Sequence, residues 1–281
     1  MTEKKPSKLT KPRLRGRFLA CVQSTGRVGK SMTAQGVIVA LKFAGVPFVA
    51  VDADAQHRTL YRRYPEEVIR FEATRSIDDF ALMIQSLPEV PVILVDFPAQ
   101  ATNFLLGAAK HLQLLDFLEG AQIRPTLFIF MADDETAKES AGDAVRFFGD
   151  RADYLLIDNP ARFRSQRFRS LAGFKWFLDR NTPILEIPTI TSVTMAAWEA
   201  LERKAERHLS LDAVREMPGL HPLSKMELES VRNRFLVQFE DYAERLIPDP
   251  QLIKNKVARQ EQPKLGSDGA NPLTDAFFDT L

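Results

Sequence analysis

Nine consecutive residues, Gln23-Ser24-Thr25-Gly26-Arg27-Val28-Gly29-Lys30-Ser31, have the types and spacing to hold a phosphate group. Gly26 and Gly29 allow a turn tight enough to aim successive backbone N–H groups at phosphate oxygens, and a helix start behind them adds partial positive charge. In that chemistry the Lys30 ammonium reaches the β- and γ-phosphates of a nucleotide. The Ser31 hydroxyl ligates Mg²⁺, as the Gly-Lys-Ser ending of a Walker A loop requires. Ser24 stands where the plain motif has its first glycine. Two carboxylate motifs follow. In Asp52-Ala53-Asp54-Ala55-Gln56 the carboxylates at i and i+2 of an extended chain point to one side, where a cation or an attacking water relieves their repulsion. The alternative is a solvated turn at a strand end, where Asp is common. Val92-Ile93-Leu94-Val95-Asp96-Phe97-Pro98 is an apolar strand ending in a carboxylate. That is the Walker B pattern, in which Asp96 holds Mg²⁺ directly or through water.

These groups can meet only if a fold brings them together, and the chain alternates accordingly. Apolar runs at 18–22, 47–51, 90–95, 126–131, 154–157 and 184–187 predict strands, and helical patterns at 30–43, 76–86, 105–117 and 135–148 predict helices. Gly45 is the expected stop of the first helix and Ser76 the expected N-cap of the second. Strands that are apolar throughout and separated by helices predict an α/β fold, a mostly parallel twisted sheet flanked by helices on both faces. In such a sheet a ligand sits beyond the carboxyl ends of the strands, where all three motifs fall.

Together the motifs resemble the ParA/MinD group of deviant-Walker P-loop ATPases, which position plasmids, chromosomes, division machinery and other cargo, and which also occur in conjugative-transfer operons. The family's loop reads KGGxGK-Ser/Thr, its second motif DxDxQ and its third a strand ending Asp-x-Pro. Here they stand as Thr25-Gly26-Arg27-Val28-Gly29-Lys30-Ser31, Asp52-Ala53-Asp54-Ala55-Gln56 and Asp96-Phe97-Pro98. Leu155-Leu156-Ile157-Asp158-Asn159 and Ile184-Leu185-Glu186-Ile187-Pro188 also look like the family. The resemblance spans about residues 17–208 and implies a homodimer with ATP sandwiched between subunits. It implies that Lys30 and Ser31 meet the phosphates and Mg²⁺, that Asp54 orients the attacking water, and that Asp52 and Asp96 surround the metal. It also implies that Asn159 reads the adenine of ATP or ADP, with Pro188 preceding a loop and helix that flank the base. Thr25 aligns with the family's signature lysine, which reaches the partner's phosphates, and Arg27 with its second glycine. Thr25 cannot supply that charge, and Arg27 is the nearest cation.

The 281 residues are 45% hydrophobic and 27% charged, enough for one α/β domain and an appendage, and a net charge of +1 makes no global case for nucleic acid. The single cysteine, Cys21, leaves no disulfide framework and suits a reducing cytoplasm. No apolar run approaches the roughly 20 residues that span a bilayer. His57, His111, His208 and His221 lack zinc-ligand spacing.

The expected organisation is a basic arm over 1–16, a nucleotide-binding domain over 17–208, a helical extension over 209–247 and a tail with little fixed structure over 248–281. Lys4, Lys5, Lys8, Lys11, Arg13, Arg15 and Arg17 make the N-terminus a solvated, basic stretch. Arg162, Arg164, Arg167 and Arg169, interleaved with Phe163 and Phe168, suit nucleic-acid backbone contact with stacking, or equally a surface helix whose phenylalanines pack on the sheet. In the extension, Leu228, Val231, Phe235, Phe239, Tyr242 and Leu246 form one helical stripe, which either packs on its own domain or forms a partner surface. Two function classes follow. One is an ATPase whose dimer cycle positions or transfers DNA or another cargo; the other is a nucleotide-binding switch that hydrolyses little and recruits a partner protein.

Overall fold

The computed structural model describes residues 14–22, 26, 28–55, 57–72, 76–86, 89–99, 101–132, 135–161 and 174–253. Ser24, Thr25, Arg27, Gln56, most of the basic arm, the tail from 254 and the segment carrying Arg162, Arg164, Arg167 and Arg169 lie outside the described residues.

Among the described residues seven strands form one sheet: β1 (Gly16–Cys21), β2 (Phe48–Asp52), β3 (Val68–Arg70), β4 (Val92–Asp96), β5 (Ile123–Phe130), β6 (Asp153–Asp158) and β7 (Ile184–Glu186). Their spatial order is β3-β2-β4-β1-β5-β6-β7, and every pairing is parallel. The intervening helices are α1 (Lys30–Ala44), α2 (Thr59–Arg63), α3 (Ile77–Ser86), α4 (Thr102–His111), α5 (Leu114–Gly120), α6 (Glu135–Phe148) and α7 (Lys175–Asp179). The chain continues through α8 (Ser192–Ala205), α9 (Leu211–Glu216), α10 (Pro222–Asp241) and α11 (Ala243–Leu246). The fold is the expected α/β class, a parallel sheet with helices on both faces and a helical C-terminal region.

Side chains alternate along each strand, so the sheet feeds two cores. Leu19, Leu94, Phe128 and Leu155 pack with α1, α8, α9 and α10 on one face. Phe18, Ile93, Leu127 and Leu156 pack with α3, α4, α5 and α7 on the other. The local stops work as read. Gly45 ends α1 at φ 67°, and its N–H and that of Val46 bond the carbonyls of Lys42 and Leu41. Ser76 Oγ accepts the Asp79 N–H at 3.0 Å at the start of α3.

Four local expectations change. The helical pattern at 105–117 is two helices, α4 and α5, separated where Gln113 takes a left-handed φ of 50°. Both bury apolar residues in the same core, so the periodicity runs on across the break. The stripe at 223–247 also breaks, at Tyr242, whose hydroxyl donates to the Ile184 carbonyl at 3.0 Å. β3 and α2 have no counterpart in the sequence reading. β3 is an edge strand with only Val68 buried, and α2 is a five-residue helix. Arg17, read as part of the solvated arm, is buried in β1 and donates to Asp153 of β6 at 2.5 Å and to the Glu244 carbonyl.

The C-terminal helices are built into the core. Leu228, Val231, Phe235, Phe239 and Leu246 share one cluster with α1 and the sheet, and burial continues to Ile253. The stripe therefore packs on its own domain. Gly36 permits this: a Cβ there would lie 2.6 Å from Phe235 Cδ1 and 2.7 Å from Cε1. An unobstructed Gly→Ala change in a helix gains about 1 kcal/mol, so Gly36→Ala separates propensity from contact. It is expected to cost about 1–3 kcal/mol in urea denaturation, because the methyl strikes a buried ring. In a Phe235→Ala background the same change is expected to turn neutral or stabilising. Equal costs in both backgrounds would show that Phe235 is not the obstacle.

Candidate functional site

Parallel register decides which side chains meet at the carboxyl edge of the sheet. Asp96, at the end of β4, pairs with Cys21 of β1 on one side and with Asp52 of β2 on the other. All three lie two residues beyond side chains packed against α1, so they point to the α1 face. α1 begins there. Its N-cap is Gly29 at φ 110°, no side chain caps it, and its first turn holds no acidic residue. A half-buried helix start of that kind favours an anion. Lys30 is its first residue, and the Ser31 hydroxyl donates to the Asp96 carboxylate.

The charges are poised by burial. Asp96 is pushed up to about 7, first by desolvation and then by the neighbouring Asp52 and Asp54 charges, against the Ser31 bond and Lys30. The Lys30 ammonium is held below its ordinary value by burial, while the Asp96 and Asp54 charges act to retain its proton. Burial also drives the Cys21 thiol well up, so it stays a neutral core residue. Asp96 Oδ1 is buried without a hydrogen-bond partner. A buried carboxylate with an orphaned oxygen beside a hydroxyl is a donor set that fits Mg²⁺, a hard cation that takes oxygen ligands.

Asp52 and Asp54 divide their work. Asp52 Oδ1 accepts the Asp54 N–H at 3.0 Å and Oδ2 the Tyr61 N–H at 2.9 Å, and the Leu60 N–H also bonds this carboxylate. These bonds lower its tendency to hold a proton, but burial outweighs them and raises it overall. Asp52, expected from sequence beside the metal, also anchors the Asp54 backbone and caps α2 from a distance. Asp54 Oδ1 accepts the His57 N–H at 3.0 Å, and its charge acts on Lys30, Asp52 and Asp96.

Asn159 follows β6 and meets the loop. Its Nδ2 donates to the Val28 carbonyl at 3.1 Å, which ties its amide to the loop. Ile187, beyond β7, lies over Gly29, where a Cβ would sit 2.4 Å from Ile187 Cδ1. Pro188 is buried beside it. The Leu60 and Tyr61 N–H groups and the Ile187 contact had no signal in the sequence, because they depend on which strand ends lie side by side.

No family model matches the sequence, and no curated protein matches it. Among solved structures, the MinD cell division protein of Aquifex aeolicus is similar at 14% identity with a TM-score of 0.36, over 90% of this chain and 100% of that one. The MinC:MinD cell division protein complex of the same organism is similar at 15% identity with a TM-score of 0.32, over 90% and 98%. Likeness this low carries no weight beside the site itself. Among the described residues no helix is long and apolar enough to cross a membrane.

The Asp96 shift has a consequence for stability. The folded metal-free chain holds a proton at Asp96 more tightly than the unfolded chain, so this residue's contribution falls as pH rises from 3.8 to about 7 and is lowest above that. Asp96→Asn removes the charge and keeps the shape. In metal-free buffer at pH 8 the variant is expected to be more stable than wild type by about 2 kcal/mol, a gap that narrows toward pH 5. Denaturant titrations at the two pH values measure it, and a gap equal at both would assign the effect to packing.

Proposed function

We propose that the chain is a ParA/MinD-like protein that binds ATP with Mg²⁺ and turns it over to ADP and phosphate. One observation carries this reading: the start of α1, without a side-chain cap and bearing Lys30 and Ser31, lies against the Asp96 carboxylate, which accepts from Ser31 and keeps Oδ1 without a hydrogen-bond partner. Phosphate oxygens would take the backbone N–H groups from Gly26 to Ser31, and the Lys30 charge would meet the β- and γ-phosphates. Ser31 and Asp96 would hold Mg²⁺, which supplies neutralisation of phosphate charge when bound. Asp54, fixed by the Asp52 anchor, would orient the attacking water.

In this reading the protein acts in positioning, partition or transfer of DNA or another cargo as a nucleotide-dependent homodimer. Arg27 is then the candidate to stand in for the missing lysine across the dimer, against the alternative that it faces solvent and only tolerates the turn. Non-specific DNA contact falls to Arg162, Arg164, Arg167, Arg169 and the basic arm, whose charge and interleaved aromatics support it. A cargo or adaptor protein is the remaining partner, and the cytoplasm the expected compartment. Thr25, where the family has lysine, favours a second reading in which nucleotide is bound but scarcely hydrolysed and the bound state recruits a partner.

Two variants test the site. Lys30→Ala is expected to weaken Mg·ATP binding by about 100-fold or more while leaving the circular-dichroism spectrum unchanged, since a buried charge facing phosphate is lost. Wild-type affinity in the folded variant would remove the assignment. Asp54→Ala is expected to bind Mg·ATP near wild-type strength and to lose the turnover the wild type shows with DNA present. Equal turnover would return Asp54 to a turn residue, and a wild type that binds but does not turn over supports the switch.

A further inference from the structure

We infer that Asn159 positions the phosphate loop, acting through the Val28 carbonyl; this rests on the phosphate-site reading above. The bond joins residues far apart in sequence, Nδ2 to O at 3.1 Å, and both partners are buried. Val28 and Gly29 share one planar trans peptide, in which the carbonyl and the next N–H point in opposite directions. Holding the Val28 oxygen toward β6 therefore turns the Gly29 N–H away from β6. That N–H belongs to the residue before Lys30, in the stretch where a phosphate is cradled.

The neighbouring contacts fix the same peptide from the same side. A Cβ on Gly29 would lie 3.0 Å from Asn159 Nδ2 and 2.4 Å from Ile187 Cδ1, so nothing larger than glycine fits beneath the clamp. The Ile187 N–H donates to the Asp158 carbonyl at 2.7 Å, which ties the end of β7 to the end of β6. Asn159 and Ile187 thus act together on Gly29. An amide does this without adding charge next to phosphate. A carboxylate at the same place would set one acceptor against another and release the Val28 carbonyl.

The test compares the full-length wild type with Asn159→Asp and Asn159→Ala. Hydrogen exchange is followed at the Gly29 and Lys30 amides, and calorimetry measures Mg²⁺ complexes of ATP, GTP and inorganic tripolyphosphate. Both variants are expected to exchange faster at the loop amides with the central strands unchanged, and to lose about tenfold in affinity for all three ligands alike. Tripolyphosphate has no base, so unchanged tripolyphosphate binding with weakened ATP binding would overturn the inference in favour of base reading. Unchanged loop exchange would also overturn it. A wild type that binds none of the three ligands would remove the phosphate-site reading, and loop exchange would still decide whether Asn159 holds the loop.

Discussion

A carboxylate buried at the end of a central parallel strand is the constraint around which this molecule is arranged. Asp96 stands between the ends of β1 and β2, pushed up to about 7 by burial, and burial lowers the Lys30 ammonium in turn. Neither group is comfortable charged in an apolar surrounding, and each helps keep the other ionised. The Ser31 bond and an Oδ1 without a partner complete the surroundings of this carboxylate. Strand order, helix start and glycine turn all serve to bring these two charges together.

Elements distant from the start of α1 hold that arrangement. Asp52 uses both oxygens on backbone N–H groups and so suspends α2 from the end of β2. α2 is fixed in turn: Arg63 bonds the Leu209 carbonyl at 2.7 Å, pairs with Glu202 at 3.1 Å and lies over the Trp198 ring at 4.8 Å. The loop carrying Asp54 is thereby connected through α2 to α8 and the start of the C-terminal helices. α10 grips α1 directly, with the Phe235 ring filling the space a side chain at Gly36 would need. A change in the C-terminal region therefore reaches α1, the helix that Lys30 begins, by a path of packed atoms.

Much of this was legible in advance because the signals were local. A continuous apolar run such as Val92 to Val95 suits a strand covered on both faces, and Gly45 ends α1 because it takes a φ of 67°. The breaks at Gln113 and Tyr242 were not legible. Each occurs inside an unbroken apolar pattern, and each is set by a contact or a packing surface elsewhere. Arg17 shows the same limit: a basic residue following a basic arm reads as solvated, yet Asp153 and the Glu244 carbonyl, far along the chain, make its burial possible.

The sequence by itself determined the fold class and the chemical inventory: a glycine turn before Lys30 and Ser31, carboxylates closing two apolar strands, and an Asn closing a third. Residue type and spacing suffice for that, since they set local geometry and available charge. Tertiary structure alone decided how the inventory is used. It set Asp52 to fold its own loop while Asp96 keeps an oxygen without a partner, and it turned Asn159 onto the Val28 carbonyl. It also made the C-terminal stripe a wall of the core. The physical reason is register: which strand ends lie side by side, and on which face, follows from the burial of the whole sheet and from no single segment.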